Sequence, residues 1–216
     1  MRTLENSAMM LAIAVITALP AAAEVKVVAT QAAGTPVAIS SKFGKVVDAV
    51  NIAGNSLTCD GIKFVGQVVP GGVASQIIET TPLTVTLSTK AGNLASAPIG
   101  ADALFQTEAY SDGFRDISLL IAGLDPKKTY QIQYLHGDTR PDAWARYTNG
   151  TQTFTDSTGK KATKALSFNT APNTDQFAVV TVEVTGSTSL LCELPHSSAD
   201  DGRGPSFAGF VVLEKP

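Results

Sequence analysis

From residue 24 onward, apolar and polar positions alternate with a period of two along much of the chain. In residues 83–89, Leu83, Val85 and Leu87 alternate with Thr84, Thr86 and Ser88, and segments 117–121, 130–134, 177–184 and 207–213 carry similar runs. Successive side chains of a strand point to opposite faces, so each run of five to eight residues predicts a half-buried strand. A long helical period appears nowhere after residue 24. Turn chemistry separates the runs: Gly54 with Asn55, then Pro70, Gly71 and Gly72, then Gly123, Leu124, Asp125 and Pro126. Proline presets φ for a turn, so residues 123–128 should join the 117–121 and 130–134 strands as a hairpin or an arch. Many short strands with regularly spaced turns indicate a single all-β domain, a sandwich or a barrel. With no repeat of fixed period, a solenoid or propeller is disfavoured.

One hairpin can be given a register. Asn149 and Gly150 stand between residues 144–148 and 151–155, and Asn-Gly is a strong two-residue turn signal because both positions tolerate positive φ. Turning there would pair Thr148 with Thr151 and Trp144 with Thr155. Ala145, Tyr147 and Phe154 would then face inward, while Trp144, Arg146, Thr148, Thr151, Thr153 and Thr155 would face water.

Composition narrows the function classes. The 216 residues carry 16 Lys and Arg against 19 Asp and Glu, a formal net charge of −3, and only 16% are charged. Nothing in that balance gives the clustered basic footprint needed by a nucleic-acid binder. The 24 threonines are an excess that suits half-buried strands. At the start, Arg2 precedes an apolar stretch over residues 8–19, and Pro20 is followed by Ala21, Ala22 and Ala23 before Glu24. A short apolar core ending in small residues reads as a secretory signal peptide over 1–23, with an uncleaved anchor as the alternative. The domain proper is then 24–216, exported to the periplasm or beyond, with no membrane span of its own.

In an oxidising compartment the pair Cys59 and Cys192 is most simply a disulfide. It would tie an early strand to a late one and contribute roughly 5 kcal/mol. Two buried thiols are the alternative; neighbours at metal-ligand spacing are absent.

Residues 47–54, 58–64, 117–130, 133–140 and 206–213 together resemble secreted bacterial proteins of the galactose-binding-like β-sandwich type. The resemblance spans most of the chain after residue 24, in order, and its motifs are structural: an inward strand, a Gly-Leu-x-Pro turn at Gly123, a Tyr-bearing strand and a closing strand. It implies a single jelly-roll-like antiparallel β-sandwich, often carbohydrate-binding and sometimes stabilised by Ca²⁺. It carries over no binding residue.

The densest polar stretch, 136–146, follows the 130–134 strand and so belongs to a loop at one end of the sandwich. Sugar recognition needs an aromatic face for the C–H side of a pyranose and planar groups for its hydroxyls. Trp144, Arg140, Asp138, Asp142, Arg146 and His136 supply that chemistry. The same carboxylates can instead pair with Arg140 or Arg146 and hold the loop in shape. A second polar loop, 196–205, contains Asp200 and Asp201, which with backbone carbonyls could ligate a hard cation such as Ca²⁺, although Asp-Asp-Gly is also an ordinary turn.

An enzyme would draw on His136, His196 and a loop Asp as acid and base; the nucleophile elbow, zinc-helix and P-loop motifs are absent. Three readings follow. The first is a non-catalytic module binding a glycan or other extracellular polymer, the second a polysaccharide-active enzyme, and the third a structural or adhesive envelope protein.

Overall fold

The computed structural model describes residues 22–33, 39, 41–98, 107–111, 116–138, 148–168, 176–196 and 206–216. Within them the chain forms sixteen strands and one turn of 3-10 helix at Ser41–Phe43. The strands of the first half are β1 (Glu24–Ala33), β2 (Lys45–Ile52), β3 (Leu57–Cys59), β4 (Ile62–Gln67), β5 (Ser75–Glu79), β6 (Thr84–Thr89), β7 (Leu94–Pro98) and β8 (Thr107–Ser111). Those of the second are β9 (Ile117–Ala122), β10 (Thr129–Asp138), β11 (Thr148–Asp156), β12 (Lys161–Phe168), β13 (Gln176–Thr185), β14 (Ser189–Leu194), β15 (Ser206–Phe207) and β16 (Gly209–Glu214). No helix among the described residues is long and apolar enough to cross a membrane.

Two sheets face each other. One has seven strands in the order β1-β13-β10-β16-β2-β4-β3, the other six in the order β12-β11-β14-β9-β6-β5, and a small third sheet has the order β15-β8-β7. Inward residues of both large sheets meet in one buried cluster. Val50, Ile132, Tyr134, Val182 and Phe210 come from the first layer, and Val85, Leu87, Leu119, Phe154 and Leu190 from the second. The alternation that marked the strands in the sequence therefore sorts the core.

The connectivity is that of a jelly roll. Taking β2, β9, β10, β11, β12, β13, β14 and β16 as eight strands in chain order, the first layer reads first-eighth-third-sixth and the second reads second-seventh-fourth-fifth. Those are the two interlocked Greek keys of that fold. Strands β3 to β8 form an excursion between the first and second jelly-roll strands. They widen both layers, β4 and β3 beyond β2, and β6 and β5 beyond β9. The excursion also brings an exception to the antiparallel expectation, because β2 and β4 pair in parallel. The 123–128 turn is an arch, since β9 and β10 lie in different layers. Gly123 adopts a φ of 93°, and the Asp125 amide donates to the Tyr130 hydroxyl at 3.1 Å.

Three expectations need correction. Asn149 and Gly150 do not turn: they lie inside β11, opposite Ser167 and Leu166 of β12. The turn falls at residues 157–160, where Asp156 Oδ1 accepts from the amides of Thr158 (2.8 Å) and Lys160 (3.0 Å) and Gly159 takes a φ of 87°. Phe154 still points inward and Thr151, Thr153 and Thr155 outward; Trp144, Ala145, Arg146 and Tyr147 lie outside the described residues.

The 207–213 run is not one strand. It breaks at Ala208, and β15 pairs with β8 while β16 enters the seven-stranded sheet.

No disulfide joins Cys59 to Cys192. Cys192 sits in the core between the layers, whereas Cys59 packs on a second cluster with Ile62, Phe64, Leu135, Val179 and Val211. On β10, β13 and β16 those residues alternate with inward ones, so the second cluster covers the far face of the seven-stranded sheet. A whole sheet separates the two sulfurs.

Candidate functional site

The outer face of the six-stranded sheet carries an open groove of about 390 Å³. Ser88, Ser118, Glu193, Thr151 and Thr153 line its floor from β6, β9, β14 and β11, and Thr89, Lys90, Asp116, Ile117 and Pro195 complete the wall. The floor residues point outward because their neighbours Leu87, Leu119, Cys192, Gln152 and Phe154 are the buried, inward positions of the same strands.

The wall is held in shape. Asp116 Oδ2 accepts from Lys90 Nζ at 3.3 Å, and its Oδ1 accepts from the His196 amide at 2.8 Å. The Thr89 hydroxyl lies within reach of Ser111 Oγ and Ala91 O, each at 2.8 Å. On the floor the Ser88 and Ser118 hydroxyls share a hydrogen bond of 2.9 Å. The carboxylate of Asp116 is thus committed to the wall, and Glu193 is exposed at mid-floor. Such a surface offers many two-way hydroxyl groups and a carboxylate acceptor, suited to a ligand that is itself rich in hydroxyls.

Of the residues singled out from the sequence, His136 is placed against expectation. It belongs to β10, is 1% exposed, and packs against Phe207 with ring centroids 5.1 Å apart and the rings tilted by 45°. Its Nδ1 lies 3.0 Å from the Ser206 carbonyl, which only accepts, so Nδ1 carries the proton. The amide nitrogen of Gln152 then donates to His136 Nε2 at 3.2 Å and to Cys192 Sγ at 2.8 Å. Burial holds the His136 pKa down at about 4, against an ordinary 6.5, and pushes the Cys192 thiol upward. The ring is a neutral core element whose two nitrogens are taken by Ser206 and Gln152.

Asp138 closes β10 opposite Gln176. Arg140, Asp142, Trp144 and Arg146, and likewise Asp200 and Asp201, lie outside the described residues. Among the described residues no three His, Cys, Asp or Glu side chains are grouped to hold a metal ion. Glu193 and the serines were legible as outward positions by parity alone, since Glu193 alternates with Cys192 and Leu194. What parity leaves open is which outward residues become neighbours.

No protein-family model matches the chain. No curated protein matches it either. Among solved structures the chain is similar to CBM35 from Cellvibrio japonicus Abf62, a carbohydrate-binding β-sandwich, at 13% identity and a TM-score of 0.38, covering 61% of this chain and 94% of that one. A likeness at that level transfers neither ligand nor activity.

Proposed function

We propose that the chain is an exported, non-catalytic module that binds a glycan in the groove on the outer face of the six-stranded sheet. The observation that carries the reading is the groove itself: a volume within the usual range of ligand sites, floored by serine and threonine hydroxyls around Glu193 and open enough for part of a polymer. Three residues, 148–150, separate segment 139–147 from Thr151 of the floor. In this reading it brings Trp144 as the stacking platform and Arg140 or Arg146 as hydroxyl clamps, with Asp138 and Asp142 beside them. Hydrolysis of a glycosidic bond asks for two working carboxylates. Asp116 is engaged by Lys90 and the His196 amide, which favours binding over catalysis.

The test is a glycan array followed by affinity electrophoresis with the full chain. Retardation by at least one polysaccharide is expected, weakened in both Trp144→Ala and Thr153→Val proteins. No binding to any glycan, or binding indifferent to both substitutions, overturns the reading.

A further inference from the structure

The registers of the six-stranded sheet align one outward residue per strand into a single row. Ser75 of β5 is opposite Ser88 of β6, Ser88 opposite Ser118 of β9, and Ser118 opposite Glu193 of β14. Glu193 is in turn opposite Thr153 of β11, and Thr153 opposite Thr163 of β12. All six are exposed or half-buried. The row therefore reads hydroxyl, hydroxyl, hydroxyl, carboxylate, hydroxyl, hydroxyl, and its middle four members are the groove floor.

On one side of the row Lys90, Asp116, Pro195 and Thr151 also line the groove; on the other, the next row along the strands is different in kind. Ile77, Thr86, Leu120, Leu191, Thr155 and Lys161 occupy it, with two leucines at its centre. A linear ligand that follows hydroxyls must therefore run across the strands. A ligand running along them would reach the leucines within one step on one side and the Lys90–Asp116 ion pair on the other.

Adjacent strands are about 4.8 Å apart, so six strands give a track of roughly 24 Å. That pitch is close to the advance of one sugar unit in an extended, β-1,4-linked chain. Each unit of such a chain can meet a new strand, with its edge hydroxyls exchanging hydrogen bonds with serine, threonine or glutamate side chains.

Charge selects further. Lys90 and Asp116 neutralise each other at 3.3 Å, which leaves Glu193 as the uncompensated charge among the described residues of the groove lining. A carboxylate accepts well from two neighbouring hydroxyls of one sugar, and charged acceptors form the stronger hydrogen bonds. It repels a uronate or sulfate brought to the same place.

We infer, building on the glycan-binding reading, that the row is a track for an uncharged, extended glycan lying across the strands at about one sugar unit per strand, with Glu193 as the residue that rejects anionic chains. The test is calorimetric titration of the full chain with β-1,4-linked gluco-, xylo- and manno-oligosaccharides of two to six units and with an oligogalacturonate. At least one neutral series should tighten with each added unit up to five or six, while the oligogalacturonate binds weakly or not at all.

Glu193→Gln should lose about tenfold in affinity for the neutral hexamer and gain affinity for the oligogalacturonate. Ser75→Ala and Thr163→Ala, at the ends of the track, should weaken the hexamer and leave the dimer unchanged. Affinity that stops rising at the dimer, tighter binding of the anionic chain by the native protein, or indifference to Glu193→Gln overturns the track while leaving glycan binding intact. Absence of binding to every oligosaccharide and to every glycan of the array overturns both.

Discussion

The buried His136 should make the fold acid-sensitive over a defined pH window. In the folded chain its Nδ1 proton is donated to the Ser206 carbonyl and its Nε2 lone pair accepts from the Gln152 amide, so a second proton at Nε2 would face an N–H donor. Burial lowers its pKa from 6.5 to about 4. The unfolded chain, where the imidazole is solvated, binds the extra proton near pH 6.5. Stability from this group is therefore complete above about 6.5, falls as the pH drops through the interval down to about 4, and is flat below it. A separation of that size corresponds to roughly 3 kcal/mol, a large part of the stability of an ordinary domain.

Carboxylates titrate in the lower part of the same window, so the useful quantity is a difference between proteins. His136→Asn keeps a donor where Nδ1 stands and removes the titration. Urea unfolding of both proteins between pH 7.5 and 4.5 should show the native chain losing about 2 to 3 kcal/mol more than the variant. A nuclear magnetic resonance titration of the His136 ring should show no charging above about pH 5. Parallel stability curves, or a ring that titrates near 6.5, would refute the assignment of a neutral, fully desolvated imidazole.

Two further outcomes test the fold itself. A Cβ on Gly66 would meet the Gly54 carbonyl oxygen at 2.4 Å and the backbone of Asn55 and Ser56 at 2.5 Å, so Gly66→Ala should lower the urea midpoint by the equivalent of about 2 kcal/mol or more, and an unchanged midpoint would mean that β4 does not pass this close to the 54–56 turn. The denatured protein, prepared without reductant, should titrate two thiols, with Cys192 unreactive until unfolding because it is buried and its thiol is pushed upward; no thiols would restore the bridge to Cys59.

Most of the architecture could be read from period-two runs. Val85 and Leu87, Leu119 and Ile121, and Ile132 and Tyr134 are inward where alternation put them. The Asn149 and Gly150 reading failed because turn propensity is local, whereas the strand is held on both sides: Gly150 pairs with Leu166, and further along Phe154 pairs with Cys192. The true turn had its own signal in Asp156 and Gly159, a carboxylate able to cap the backbone two and four residues ahead.

His136 looked like a loop residue because it precedes Gly137 and Asp138, yet β10 runs on to Asp138 and carries the ring inward. The hydroxyl row was hidden for a different reason. Ser75, Ser88, Ser118, Thr153, Thr163 and Glu193 are outward by parity, but their alignment is a property of five separate pairings, three of them between distant segments, and one residue of slip in any of them would break it.

The position of β16 bears on the order in which the molecule can be assembled. It lies between β2 and β10 in the seven-stranded sheet, with Phe210 opposite Val50 on one side and Tyr134 on the other. β1, the earliest strand, likewise finds its partner in β13. The first layer therefore has a gap at its centre until residues 209–214 are available: β2 can meet β4 early, but β1 waits for β13 and the β2 edge facing β10 waits for β16. Long-range pairing of this kind folds slowly. A layer that stays open until its late segments are made keeps the chain extended for longer, the state that the proposed export would require.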